Sequence, residues 1–94
     1  MTLVWSPRGV DHLAHLRAYI ARHNPKAANR IASALLEAVE RVAELPNLGR
    51  PGRIAGTREM VVPETPYLVA YRLRADRLEV IAVLHSRQKW PKNL

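Results

Sequence analysis

Cysteine is absent from the 94 residues, which excludes disulfides and thiolate metal sites and makes the reducing cytoplasm the expected home. Long apolar runs are missing too. The longest unbroken aliphatic stretch, Val80 to Leu84, is far too short to cross a bilayer. The opening MTLVWSPRG lacks the charged region and extended apolar stretch of a signal peptide, so no membrane role is expected. Acidic residues are scarce: eight Asp and Glu face fifteen Lys and Arg, for a net charge of +7. Up to Leu45 there are six basic residues against four acidic ones, and from Pro46 onward nine against four. The second half therefore carries most of the excess. A basic face suits an acidic partner, either nucleic acid or an acidic protein segment, beside the blander role of a solubilising surface.

With 48% hydrophobic residues the chain is globular rather than disordered. Its length predicts one domain, residues 1–94, whose thin core hides ~60–65% of the unfolded surface. Thr2 to Trp5 is a brief strand candidate. Ser6-Pro7 then signals a helix start, because Ser can accept from free backbone N–H groups and Pro is tolerated at the first helical position. Val10, Leu13, Leu16 and Ile20 recur at helical spacing to about Arg22. His12 and His15 lie in this helix and His23 just past it. No third ligand accompanies them and Asp11 is the one nearby carboxylate, so they read as a solvated face rather than a metal site. Asn24-Pro25 repeats the start signal and opens a second helix to Leu45, whose apolar stripe includes Ala28, Ile31, Leu35, Ala38, Val39 and Val42. So wide a stripe predicts packing on the first helix and on a sheet together.

Pro46 to Gly56 holds three Gly and two Pro among eleven residues and reads as a loop. No Lys-Ser/Thr sequel or following helix makes it a phosphate loop. Thr57 to Val62 is a strand, and the corner PETP leads to the stretch Tyr67–Pro91. In it Tyr67, Val69, Tyr71 and Leu73 alternate with Leu68, Ala70 and Arg72. After the polar link Arg74–Arg77, Leu78, Val80, Ala82 and Leu84 alternate with Glu79, Ile81, Val83 and His85. Both are strand patterns joined by a short turn. The second is apolar on both faces and should be covered on both sides. The order β, α, α, β, β, β predicts an α+β fold, with an N-terminal helical hairpin on one face of a small antiparallel sheet.

Metal-free RNA cleavage needs a base, an acid and cations for the developing charge. Glu59 and His85 can serve as base or acid, and Arg58, Arg72 and Arg87 as cations. Each also has a plainer role: His85 can cap a strand end, and Arg72 can pair with Glu59 or Glu79 across the sheet. The basic tail, with Arg87, Lys89 and Trp90, offers cations and a stacking surface to a partner. Equally, Trp90 can fold back into a small core.

Taken in order, NPKAANRI, GRPGRIAGTRE, VVPETPYLVAYRL and VLHSRQKWP resemble the RelE/ParE superfamily of bacterial type II toxins from Trp5 to Pro91. The resemblance implies a toxin neutralised by a labile, acidic antitoxin that contacts operator DNA itself, leaving the toxin only indirectly on DNA. The expected antitoxin contacts are Leu35, Val39, Val42, Arg58 and Arg72. Members that cleave mRNA carry an Arg one residue after the aromatic that opens the penultimate strand, and that position is Leu68 here. They also end in a catalytic Tyr or His-Tyr, where this chain has Trp90-Pro91. Loss of that cation removes several kcal/mol of transition-state stabilisation. The H-x-R-Q-x-W-P ending and early G-T-R-E are closer to the ParE-like branch. That branch implies inhibition of DNA gyrase by binding, through Arg87, Lys89 and Trp90, without metal or cofactor. The alternative is a ribosome-dependent mRNA endonuclease using Arg58, Glu59, Arg72, His85 and Arg87.

Overall fold

Two capping side chains start the two helices of the computed structural model, which describes residues 1–93. The Ser6 hydroxyl accepts from the Gly9 N–H at 3.0 Å and opens α1, Pro7–Ala21. The Asn24 carboxamide oxygen accepts from the Ala27 N–H at 3.0 Å and opens α2, Pro25–Glu44. Both starts are those predicted, for the predicted reason. Among the described residues no helix is long and apolar enough to cross a membrane.

The strands are β1 (Thr2–Trp5), β2 (Arg50–Pro51), β3 (Arg58–Val61), β4 (Tyr67–Arg74) and β5 (Arg77–His85), in the order β1-β5-β4-β3-β2. Three strands form the expected meander. The α+β architecture is as predicted, but the sheet is mixed rather than antiparallel, because β1 runs parallel to β5, with Leu3 opposite Leu78 and Trp5 opposite Val80. A tight turn forces antiparallel pairing, whereas these two strands are linked through the helices and three other strands. The short β2 lies inside the segment read as a loop and pairs Arg50 with Glu59 and Pro51 with Arg58. Tyr71 draws that segment in: its hydroxyl donates to the Pro46 carbonyl at 2.7 Å and accepts from the Gly49 N–H at 2.9 Å.

A second departure lies inside β5. Ala70 faces Ala82 but Tyr71 faces Val80, so Ile81 is an extra residue in the ladder. Such a bulge reverses the in-out alternation beyond it. Leu78, Val80 and Val83 therefore join the core beneath the helices, while Ile81, Ala82 and Leu84 face the other way. Strict alternation along this strand is thus corrected by one residue. The main core joins them to Leu35, Ala38, Val39 and Val42 of α2 and to Val62, Val69 and Tyr71. On the opposite face Leu68, Ala70, Ile81, Ala82 and Leu84 form a second apolar cluster, with Trp90 packed over it. Both sides of β5 are covered, as its composition predicts.

The strand β1 ends at Trp5, leaving the outer edge of β5 without a strand partner beyond Val80. The N-cap of α1 and the helix itself supply substitutes. The Ser6 N–H donates to the Val80 carbonyl at 2.9 Å and its hydroxyl to the Ile81 carbonyl at 3.3 Å. The Val83 N–H donates to His12 Nδ1 at 3.2 Å. His12 is thus half-buried and not part of a solvated face. Burial, reinforced by the Arg8 charge, lowers its pKa below the ordinary 6.5. A His held neutral by the fold contributes stability that is complete above pH 6.5 and is lost as pH falls through the folded pKa. Replacing His12 by Ala should cost ~1–2 kcal/mol by orphaning the Val83 amide. It should also flatten the fall of unfolding free energy below pH 6.5, measured by urea titration. An unchanged slope in the variant would remove His12 from this role.

Candidate functional site

The residues after His85 cross the second sheet face and are held there by arginines from elsewhere. Arg53 donates from Nη1 to the Gln88 carbonyl at 3.1 Å and from Nη2 to the Ser86 carbonyl at 3.3 Å. Its guanidinium carbon also lies 5.9 Å from the Trp90 ring centroid, within the range of cation–π attraction. Arg8 donates to the Asn93 carbonyl. Gly52 is what lets the loop reach this close: a Cβ there would stand 2.1 Å from Thr57 Oγ1 and 2.9 Å from Trp90 Cη2. Of the two roles open to Trp90, the structure takes the inward one, so it is not a free stacking surface. It is half-buried over Leu68, Ala70, Ile81, Ala82 and Leu84, and its Nε1 is buried without a hydrogen-bond partner. Arg87 and Lys89 project from the same segment and are exposed. The signal for Arg53 was weak in the sequence, because nothing local distinguishes it from Arg50 in the same loop.

The five residues considered for cleavage are not brought together. Glu59 is 5% exposed and its Oε1 accepts from Arg50 Nε at 2.5 Å, while its Oε2 is buried with no partner. Arg72 faces Glu79 in register and is paired with it, Nη2 to Oε1 at 2.6 Å. Of the two acids offered to Arg72 by the sequence, the sheet selects Glu79. Arg58 donates to the Gly49 carbonyl at 2.6 Å, anchoring the loop before β2. His85 stands on the helix side of β5, with Tyr67 edge-on at 5.6 Å between ring centroids. Its Nδ1 accepts from the Arg87 N–H at 3.1 Å. Glu59 and Arg72 lie on one side of the sheet and His85 on the other, because the bulge turns His85 towards the helices. Arg50 and Arg72 are committed to carboxylates and Arg53 to the Gln88 and Ser86 carbonyls, rather than free for a substrate.

Three of the five residues expected to meet an antitoxin also need correction. Leu35, Val39 and Val42 are at most 1% exposed and fill the core against the sheet. The stripe they belong to is consumed by the fold itself. What α2 presents outward is Leu36, 46% exposed, beside a groove of about 390 Å³ lined by Leu13, Arg17, Asn29, Ala32, Ser33 and Leu36. A second groove of about 440 Å³ continues past Arg17 and Asn29, which are hydrogen-bonded at 2.7 Å, along Ala14, Ala18 and Ala21. Among the described residues no three His, Asp or Glu side chains are grouped to hold a metal ion.

Comparison with known proteins places this architecture. A chain of the chromosomal ParDE TA system from P. aeruginosa superimposes with a TM-score of 0.82 at 17% identity, over 90% of this chain and 95% of that one. The YoeB/ParE toxin from Agrobacterium tumefaciens gives 0.64 at 20% identity, over 90% and 98%. At such identities the likeness is one of fold. In sequence, the toxin-family protein Y4kP of Sinorhizobium fredii is 41% identical over 90 residues, covering 96% of this chain and 93% of that protein. Toxin RelE2 of Caulobacter vibrioides is 33% identical over 84 residues, covering 89% and 93%. The model of the ParE toxin family, from the parDE type II toxin–antitoxin system, matches residues 3–90. Fold, relatives and the motifs from Trp5 to Pro91 agree: the chain is a toxin of a type II toxin–antitoxin system and belongs to the ParE toxin family.

Proposed function

We propose that this toxin acts in the cytoplasm as one domain, inhibiting DNA gyrase by binding rather than by cutting RNA. The observation that carries the reading is Leu68. At the position where the resemblance expects an arginine in mRNA-cleaving members, this chain has an aliphatic side chain 1% exposed in the second apolar cluster. A leucine there cannot stabilise a pentavalent phosphate, and Arg72, four residues further along β4, is bound to Glu79. The exposed cations Arg87 and Lys89 offer gyrase a surface for electrostatic recognition. Purified toxin should stop gyrase supercoiling, and induction in cells should cause DNA damage and filamentation. Rapid arrest of translation with cleaved messages, and gyrase left active, would overturn this reading in favour of an endonuclease. A harmless induction would point to a module that works only with its antitoxin.

A type II toxin has an antitoxin as its partner. In our reading that antitoxin is acidic and lies along the outer groove between the helices rather than on Leu35, Val39 and Val42. The groove combines the exposed Leu36 with Arg17, an apolar anchor beside a cation. Leu36→Asp should weaken the toxin–antitoxin complex at least about tenfold, the equivalent of ~1.4 kcal/mol, while leaving the isolated toxin folded. Unchanged affinity in a titration calorimeter would move the antitoxin elsewhere.

A further inference from the structure

At the end of β5, on the helix side, a pocket of about 210 Å³ is lined by His12, His15, Leu16, Tyr67, Val83, His85 and Gln88. Two of its imidazoles have their tautomers set by the backbone. His12 Nδ1 accepts from the Val83 N–H and His85 Nδ1 accepts from the Arg87 N–H, so each neutral ring carries its proton on Nε2. The Gln88 Oε1 accepts from the His85 N–H, which leaves the Gln88 amide nitrogen as a donor. The Tyr67 hydroxyl is a further donor, and burial raises its pKa and keeps it protonated. His15 sits at the rim with its Nδ1 hydrogen on the Asp11 carbonyl at 2.8 Å and beside the Asp11 carboxylate at 3.3 Å. Arg8 adds a positive charge felt at His12.

Four side chains from α1, β4, β5 and the following turn thus line one small pocket, each left with a hydrogen to donate. A set in which donors outnumber the single hydroxyl oxygen left to accept is a receptor for an oxyanion. We propose that this pocket binds a single phosphate group, held by His12, Tyr67, His85 and Gln88. The assignment is independent of gyrase as a target, since Arg87 and Lys89 are not among the lining side chains.

The test is nuclear magnetic resonance of the imidazole signals during titration with sodium phosphate, at constant pH and ionic strength, with sodium chloride as control. His12 and His85 should shift saturably. His23, which lies at the far end of α1 against Tyr19, should not. Tyr67→Phe and Gln88→Ala each remove one donor and should weaken binding about three- to tenfold. Gln88 is exposed, so its variant decides the matter even if Tyr67→Phe is poorly folded. Equal affinity for inorganic phosphate and a nucleoside 5′-monophosphate would assign the pocket to the phosphate group alone. Tighter nucleotide binding would assign it to a nucleotide's phosphate. Absence of saturation at His12 and His85, an equal shift at His23, or wild-type affinity in Gln88→Ala would overturn the proposal.

Discussion

Replacing Tyr71 by Ala is expected to lower the unfolding free energy by about 3–5 kcal/mol, the range for deleting a buried aromatic ring. Tyr71 is 0% exposed and lies in the main core. Its hydroxyl also holds Pro46 and Gly49, which separates two effects that a second variant can resolve. Tyr71→Phe keeps the ring and strands a buried N–H and a carbonyl, a loss of about 1–3 kcal/mol. For a domain of this size each kcal/mol moves the melting temperature by roughly 4–8 °C. Burial raises the phenol's pKa, so the donor stays protonated at neutral pH and the bond persists there. The Phe variant should also lose hydrogen-exchange protection at Gly49. A Tyr71→Phe protein melting with the wild type would show that water satisfies both groups, and the account of why β2 forms would fail. Gly49 belongs to the same joint: a Cβ there would stand 2.5 Å from the Tyr71 hydroxyl and 2.9 Å from the Glu59 carbonyl.

The double substitution Arg87→Ala with Lys89→Ala should abolish toxicity in cells and weaken gyrase inhibition at least about tenfold. Both side chains are exposed, and surface substitutions away from structural features usually alter stability by less than ~0.5 kcal/mol. The thermal melt and circular dichroism should therefore match the wild type. The electrostatic part of the loss should shrink with added salt, as long-range attraction is screened. Trp90→Ala is a poorer probe, because it uncovers Leu68, Ile81 and Leu84 and mixes lost packing with any lost contact. Full toxicity in the double mutant would remove the tail as the target-binding surface. A supercoiling assay unaffected by the wild-type toxin would reject gyrase itself.

Local chemistry determined the helix starts, the strand hairpin, the apolar stripe of α2 and the α+β order of elements. Ser6 and Asn24 cap within three residues, and alternation along β4 needs only neighbouring side chains. The family motifs are likewise runs of adjacent residues, so the toxin assignment was legible without coordinates. Tertiary structure alone decided that β1 is parallel to β5, that Ile81 is bulged, that Arg72 takes Glu79 and that Arg53 clamps the tail over Trp90. It also split Glu59 from His85 across the sheet. The physical reason is the same each time. A period or a cap is set by residues a few positions apart, whereas the choice of partner between distant segments is made only when competing contacts are closed in space.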